Sequence, residues 1–477
     1  MSLPSSKGPD HGQLALIKRG YGMFIHFGVN TFNELEWSDG TLPATGFHPS
    51  ALDCDQWIQT AKEAGFRHVV LTTKHVDGFC LWPSKYTNYS VAAATVKTDI
   101  VAAVAKACKK YGVEFGLYYS LWDRIEPAHA EPDPTNYIQY VKNQLTELLN
   151  EYGPVCELWF DAAWSKPDAE WRLPELYALI KTLQPGCQVT VNHTIHIPGE
   201  GLKVQLPEDM RERDPIRYWP VDFRTKDPNL VRADDPKHYT APDGSVHYLP
   251  FEHTICISDR WNWFQKAELI PARSPDELEE LYYWCTANDN ALLVNLPPDQ
   301  NGLIRENERE AIFRTADLLG IRGGNSPLPN PPVNQAAGVA AEADSVLDGS
   351  HGADKAVDNS LERTRWAATT TNPSLTLSPS APFVFDRISL HEYAELIDLG
   401  DGFSKKRELR IQSFCIDISF GDVWKTIHQG TGLSPVRVVR FPEKLIADKI
   451  RVRITEASAP PSIHLITVAD SSTRRAR

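Results

Sequence analysis

Six short apolar runs in the first two thirds of the chain close on side chains that can hydrogen-bond or ionise: Phe24-Ile25-His26, Leu71-Thr72-Thr73-Lys74-His75, Gly116-Leu117-Tyr118-Tyr119, Leu158-Trp159-Phe160-Asp161, Val191-Asn192-His193 and Leu293-Val294-Asn295. A single His or Asp at such a place caps a helix or packs in a core more often than it reacts. Six at corresponding places point to one shared mouth, because parallel barrels carry their chemistry at the carboxyl ends of their strands. Trp37, Trp82, Tyr119, Trp122, Trp159, Trp164, Trp261 and Trp263 lie in or beside the same segments. Sugar rings stack their C–H faces on aromatic rings and bond their hydroxyls to His, Asn, Lys and indole N–H groups, so the combination suggests a carbohydrate pocket. Glycoside cleavage then needs two carboxyls. Asp161, behind the apolar wall of Leu158-Trp-Phe, is the natural nucleophile. For the acid, Glu252 in Tyr-Leu-Pro-Phe-Glu-His is preferred, since flanking Leu and Phe would raise its pKa. Glu200, Glu208 and Asp222 stay open as alternatives, and a salt-bridged Glu is the plain structural reading of Glu252.

Residues so placed need strands to present them and helices to return the chain. Met23–His26, Val69–Thr73, Phe115–Tyr119, Glu157–Phe160, Val189–Val191 and Leu292–Asn295 read as strands. Between them, helical spacing over Asp55–Ala64, Thr98–Tyr111 and Thr135–Tyr152 stops each time at a glycine, and Ser274, Pro275 and Glu277 take cap, first-turn and capping-box positions. This alternation predicts an α/β fold, a (β/α)8-like TIM barrel over residues 1–322. A Gly- and Pro-rich stretch over 323–335 reads as an extended linker. Beyond it, 336–477 shows short β-type runs (Leu375–Leu377, Val384–Leu390, Phe414–Ile418 and Ile450–Ile454) and predicts an all-β sandwich domain.

Bulk composition narrows the partners. With 477 residues and 42% hydrophobic content the chain can bury two cores, and 62 acidic against 49 basic side chains give −13, which disfavours nucleic acid and anionic lipid. No run is long and apolar enough to insert in a membrane, and Met1 to Asp10 holds no apolar signal core. The eight cysteines are widely spaced without a C-x-x-C pair and read as buried thiols rather than a disulfide or zinc framework.

From Tyr21 to Gly320 the chain resembles the α-L-fucosidases of glycoside hydrolase family 29. The likeness rests on Gly22-Met-Phe-Ile-His-Phe-Gly28, Thr73-Lys-His-Val-Asp-Gly-Phe79, Leu81-Trp82-Pro-Ser84, Gly116-Leu-Tyr-Tyr-Ser120, Leu158-Trp-Phe-Asp161 and Leu292-Leu-Val-Asn-Leu-Pro-Pro298. The resemblance implies an exo-acting retaining enzyme on a fucosylated oligosaccharide or glycoconjugate, with no cofactor required. It implies Asp161 as nucleophile, His26, His75 and Tyr119 on the fucose hydroxyls, Glu36 and Trp37 at the subsite, and Trp261 or Trp263 under the sugar's methyl group. Glu252 resembles the family's acid, and a secreted or periplasmic location is favoured. Two departures stand out: Val76 replaces a usual second His, and Ala162 replaces the Gly that usually follows the nucleophile. With the insert at Asp234-Asp235-Pro236 they leave room for a related L-sugar such as L-galactose. The tail resembles discoidin-like modules of the coagulation factor V/VIII C type through Ala356-Val-Asp358, Thr364-Arg365-Trp366, Trp424 and Arg451-Val-Arg453. That likeness implies glycan binding or a structural bracket, and allows a structural calcium.

Two other classes compete. A sugar-binding protein without turnover would keep the pocket, against which an intact Asp161 argues. Metal-assisted hydrolysis by His26, His75, Asp161 and His193 lacks the local His-x-x-x-His type of ligand spacing.

Overall fold

The computed structural model describes residues 5–166, 169–195, 210–227, 235–258, 261, 263–264, 271–361, 363–398, 405–421, 423–432 and 434–474. Two compact units emerge, one of Met1–Arg273 with Asn288–Pro329, the other of Ser274–Ala287 with Asn330–Arg477.

The first unit holds strands β1 (Tyr21–Ile25), β2 (His68–Lys74), β3 (Glu114–Ser120), β4 (Glu157–Asp161), β5 (Gln188–Val191), β6 (Arg224–Thr225), a hairpin of β7 (His238–Thr240) and β8 (Val246–Tyr248), then β9 (Phe251–Cys256) and β10 (Ala291–Asn295). Apart from the hairpin they form one parallel sheet in the order β5-β4-β3-β2-β1-β10-β9-β6. Its two ends approach each other: Asp222 N donates to Val189 O at 2.7 Å and Thr190 Oγ1 to Phe223 O at 2.9 Å. The result is a near-closed eight-stranded barrel, as the alternation of elements predicts.

Helices α1 (His11–Arg19), α2 (Cys54–Glu63), α3 (Ile100–Tyr111), the short α4 (Pro127–Ala130), α5 (Thr135–Glu151), α6 (Leu173–Leu183) and α8 (Glu306–Leu319) accompany the strands. Local chemistry sets their ends. Asp10 and Gln13 form a reciprocal capping box on α1, and Asp53 and Asp99 cap α2 and α3. Gly112 closes α3 in the left-handed region at φ 66°. Helix α7 (Pro275–Cys285), with Ser274 as its cap, follows β9 in sequence yet belongs to the second compact unit.

Alternation along the strands sorts the barrel interior into layers. A middle layer of Phe24, Val70, Tyr118, Trp159, Phe223 and Leu293 forms a buried apolar cluster. At the amino ends of the strands lies a charged layer. Glu157 accepts from Arg19 at 2.9 Å, His68 Nε2 lies 3.4 Å from Glu157 and 3.5 Å from Glu252, and Trp159 Nε1 donates to Glu252 at 2.8 Å. Glycines make the room: a Cβ on Gly22 would meet the His68 ring at 2.3 Å, and one on Gly116 would meet Glu157 Cγ at 2.9 Å.

The second unit is antiparallel. One sheet joins β11 (Ala340–Ala343), β13 (Ser374–Ser378), β20 (Lys449–Ala457), β17 (Ile411–Phe420) and β18 (Val423–Thr431). The other joins β12 (Trp366–Ala367), β21 (Ser462–Ala469), β14 (Phe383–Glu392) and β19 (Val436–Ala447). Residues of both share a core that includes Trp366, Leu375, Phe385, Ile416, Val452 and Ile466, the arrangement of a sandwich. On the face of α7, Glu279 accepts from Arg387 at 2.7 and 2.9 Å, and Glu280 accepts from Ser389 and His391, each at 3.0 Å. Two further strands, β15 (Glu395–Asp398) and β16 (Lys405–Glu408), pair as a hairpin.

Candidate active site

Asp161 is the last residue of β4, at the carboxyl end of the barrel. Each of its oxygens receives a donor: the Tyr118 hydroxyl at 2.6 Å on Oδ2 and the Asn192 amide at 3.0 Å on Oδ1. The chain then turns through Ala162 at φ 60°, a left-handed conformation that costs a side-chain-bearing residue ~1–2 kcal/mol and that glycine adopts freely.

A nest of rings adjoins this carboxyl. His26 lies 5.1 Å from Trp261, 5.4 Å from Trp263 and 6.1 Å from His75, and His75 stacks on Tyr118 at 5.9 Å. Asn295 Oδ1 accepts from His26 Nδ1 at 3.0 Å, which places the proton there and leaves Nε2 as an acceptor. Burial first, and then His75, push the His26 pKa down to about 3, while burial pushes His75 down to about 4. Both are therefore neutral hydrogen-bonding groups at physiological pH. His75 Nδ1 and Trp263 Nε1 are buried and make no hydrogen bond within the described residues. Unsatisfied buried polar atoms close to a strand-end carboxylate are what a polyhydroxylated ligand would complete.

Two more carboxyls face Asp161. Burial, then Asp161, raise the Glu36 pKa to about 7 against a hydrogen bond from Trp261. Asp227 follows β6, and Asn192 Oδ1 accepts its backbone N–H at 3.0 Å. Asn192 thus holds the Asp161 carboxylate with its amide nitrogen and the Asp227 backbone with its amide oxygen. Asp227 Oδ1 is buried without a hydrogen bond in the described residues, and burial, then Asp161 and Glu36, push this carboxyl well above the usual range. His193, in the left-handed region at φ 61°, is held at about 4 by burial and by Lys226.

The structure brings some of the candidate residues together and places others apart. Asp161, His26, His75, Glu36, Trp261 and Trp263 come together at the mouth. Trp37 lies beside them, 5.7 Å from Trp164 and 6.4 Å from Trp122. Tyr119 does not join them: strand parity turns it outward, where its hydroxyl donates to Gln144 at 2.7 Å and accepts from Lys74 at 2.9 Å. Its neighbour Tyr118 points in instead. Glu252 also lies away from the mouth where the sequence predicts it. It is the second residue of β9, level with Ala291 at the start of β10, in the charged layer with Glu157. Glu157 and Asp161 are four residues apart on one strand, so this layer lies ~13 Å from the nucleophile position. Burial and Glu157 raise the Glu252 pKa to about 7, against His68, but the group faces away from any substrate at the mouth. Asp222 ties the barrel seam, accepting from Val189 N and the Tyr177 hydroxyl, each at 2.7 Å. Glu200, Glu208 and Asp234 lie outside the described residues.

Asp227 was invisible to the sequence reading because β6 has only two residues and shows no periodicity; the run Val221-Asp-Phe223 before it is the faint signal. Val76, in place of a second His, is buried and offers no side-chain hydrogen bond. Among the described residues, His68, Glu157 and Glu252 are the group at metal-ligand spacing; His26, His75, Asp161 and His193 are not so arranged. No helix in the described residues is long and apolar enough to cross a membrane.

Comparison with known proteins agrees with this geometry. The family profile described as alpha-L-fucosidase matches residues 18–324. Alpha-L-fucosidase 1 of Arabidopsis thaliana is 28% identical over 97% of this chain and 86% of its own length. Tissue alpha-L-fucosidase of Mus musculus is 32% identical over 58% of this chain and 56% of its own. A glycoside hydrolase family 29 fucosidase of Ruminococcus gnavus, solved with fucose, shares the fold at a TM-score of 0.55 and 21% identity, covering 99% of this chain and 97% of that one. With a strand-end carboxylate, a nest of neutral histidines and the profile match over most of the barrel, the chain belongs to the α-L-fucosidase family, glycoside hydrolase family 29.

Proposed function

We propose that Asp161 and Asp227 divide the two steps of a retaining hydrolysis of terminal α-L-fucosides, Asp161 as nucleophile and Asp227 as acid and then base. The chain is a glycoside hydrolase of a retaining family that removes terminal fucose, and the proposal concerns which of its residues do so. The observation that carries it is the Asn192 bridge, which fixes one carboxylate and the backbone of the other within a single amide.

Asp161, oriented by Tyr118 and Asn192, attacks the anomeric carbon as the glycosidic bond breaks. Asp227, kept protonated by burial and by its two carboxyl neighbours, gives its proton to the departing oxygen. It then takes a proton from the water that releases fucose. Neutral His26 and His75, the Trp263 N–H and Glu36 serve the sugar hydroxyls, and Trp261 offers an aromatic wall for the methyl group. Charge developing on the ring is met by the Asp161 carboxylate, in a site walled from bulk water by aromatic side chains.

Azide separates the roles. Asp161→Ala, assayed on 4-nitrophenyl α-L-fucoside with azide, is expected to yield the β-fucosyl azide by direct displacement. Asp227→Ala should retain the covalent intermediate and yield the α-fucosyl azide, with turnover surviving on activated leaving groups. If Glu36→Ala gives the α-azide and Asp227→Ala does not, the acid is Glu36. The tail's finer assignment as a discoidin-like module belongs to the same proposal. Its motif residues take structural places: Trp366 is fully buried, and Arg451 and Arg453 both donate to Asp417.

A further inference from the structure

Strand β2 breaks its alternation just before it reaches the site. Thr72 pairs with Tyr118 of β3, but it is Lys74, not Thr73, that pairs with Tyr119. Thr73 is therefore an extra residue, a β-bulge, and its hydroxyl donates to Tyr118 O at 2.7 Å. Val70 and Tyr118 belong to the buried interior cluster, so strict alternation from Val70 would send Lys74 into the barrel and His75 out of it. The bulge reverses both. His75 reaches the mouth, stacked on Tyr118, and the Lys74 ammonium goes behind the wall with Tyr119.

Lys74 is held there by all three of its N–H groups, which donate to the Tyr119 hydroxyl at 2.9 Å, Asp123 Oδ2 at 2.8 Å and Gln144 Oε1 at 3.3 Å. Burial opposes charge on both Lys74 and Asp123, yet each holds the other ionised. Asp123 is fixed in turn, its Oδ1 accepting the Ile125 and Glu126 N–H groups at 3.1 and 3.0 Å. The loop after Lys74 is shaped to this carboxylate. Arg124 N donates to Val76 O at 3.1 Å, and at Gly78, with φ 84°, a Cβ would lie 2.5 Å from Asp123 Oδ1. A buried ion pair seldom adds stability over apolar side chains of equal volume. A fully bonded one fixes conformation, and this one stands at the base of the segment that carries His75.

We propose that Lys74 is a positioning residue for His75: its ion pair with Asp123 holds the bulge at Thr73 and so aims the imidazole at the sugar. This role rests on the reading of His75 as a partner for a fucose hydroxyl. Lys74 itself touches no substrate; it acts only through its neighbour.

A double-mutant cycle on 4-nitrophenyl α-L-fucoside tests the role, with kcat and KM read separately. Lys74→Met is expected to lower kcat/KM about tenfold, mainly through a higher KM, because a misaimed imidazole gives up its hydroxyl in the ground state and the transition state alike. In a His75→Ala background the same substitution should change kcat/KM by less than about twofold, since no imidazole is left to aim. Asp123→Asn keeps an acceptor for the two backbone N–H groups and carries the same cycle where Lys74→Met does not fold. Losses of equal size in both backgrounds, a loss confined to kcat such as a smaller folded fraction gives, or no loss from either substitution would each overturn the positioning role. Wild-type kcat/KM in His75→Ala would take down the reading of His75 itself, and the role with it.

Discussion

Strand β4 carries a carboxylate at each end, and the two ends of the barrel treat them in opposite ways. At the amino end Glu157 is enclosed by cations: although burial opposes ionisation, His68 and Arg19 hold it down at about 2, and Glu157 and Glu252 in turn lift His68 to about 9. At the carboxyl end Asp161 faces two carboxyls that it pushes up. Compensated charge locks a layer of the fold; uncompensated like charge stores a proton where one is needed. The residue type is nearly the same, and the company it keeps decides its role.

Replacing each end should therefore break different things. Glu157→Ala takes from buried Arg19 and His68 the nearer of their two carboxylates, a cost of ~3–5 kcal/mol, to be read as a collapse of Tm or of soluble yield. Asp161→Ala removes the nucleophile and relieves the repulsion on Glu36 and Asp227. Its Tm should stay level or rise while hydrolysis falls by more than the ~10²–10⁴ of a lost general acid. Equal thermal losses in both variants would erase the distinction between the two ends.

The charged layer also has its own pH window. His68 is raised from 6.5 to about 9, so its contribution is complete below about 6.5 and is lost as pH rises through about 9. Glu157 is lowered from 4.5 to about 2, so its contribution is complete above about 4.5 and is lost as pH falls through about 2. Glu252, raised from 4.5 to about 7, disfavours the fold increasingly as pH climbs across that interval. Thermal stability is thus expected to decline from pH 6.5 towards 9, and a His68→Gln variant should be less stable and show a flatter decline. A decline of unchanged steepness in that variant would place its source elsewhere.

The adjacent tyrosines of β3 repeat the comparison across the barrel wall. Tyr118→Phe removes a donor to the Asp161 carboxylate, a bond to a charged group worth ~1.5–3 kcal/mol, and should lower kcat by about ten- to a hundredfold with little change in Tm. Tyr119→Phe removes a bond to Gln144 behind the strand and should cost only ~1 kcal/mol of stability, leaving kinetics near wild type. Steady-state kinetics and thermal melts on the pair check both halves.

These tyrosines also show where the sequence stops being legible. The barrel and most of the mouth could be read from it, because an apolar run that closes on His26, Asp161 or Asn295 announces both a strand and its chemical end. Inside such a run, direction is written only in parity, and Tyr118-Tyr119 offers the same side chain on both faces. Register against β4, which sets Tyr118 beside Trp159, decides between them. Glu252 failed for a related reason. Its apolar neighbours suit either end of a strand, and β9 begins at Phe251, so the carboxyl enters the barrel at the bottom. Asp227 had only the faint run Val221-Asp-Phe223 before it. Helix α7 had the right caps but packs its acidic face on arginines of the second unit, a choice made by residues more than a hundred positions away.

The smallest effect tests the electrostatics of the mouth itself. Glu36 raises the Asp227 pKa through like charge, after burial and Asp161. Turnover requires the proton on Asp227, so kcat/KM falls as pH rises through that pKa. Glu36→Gln removes one of the charges that hold the proton, lowers the Asp227 pKa, and should move the basic limb to lower pH by no more than about one unit. A lowered plateau is expected as well, because the amide cannot accept from a sugar hydroxyl as strongly as a carboxylate does. The direction of the limb is the informative part. A limb that stayed in place or moved to higher pH would mean that the charge of Glu36 does not raise the pKa of the group titrating there, and the proton donor would have to be sought outside the trio of Glu36, Asp161 and Asp227.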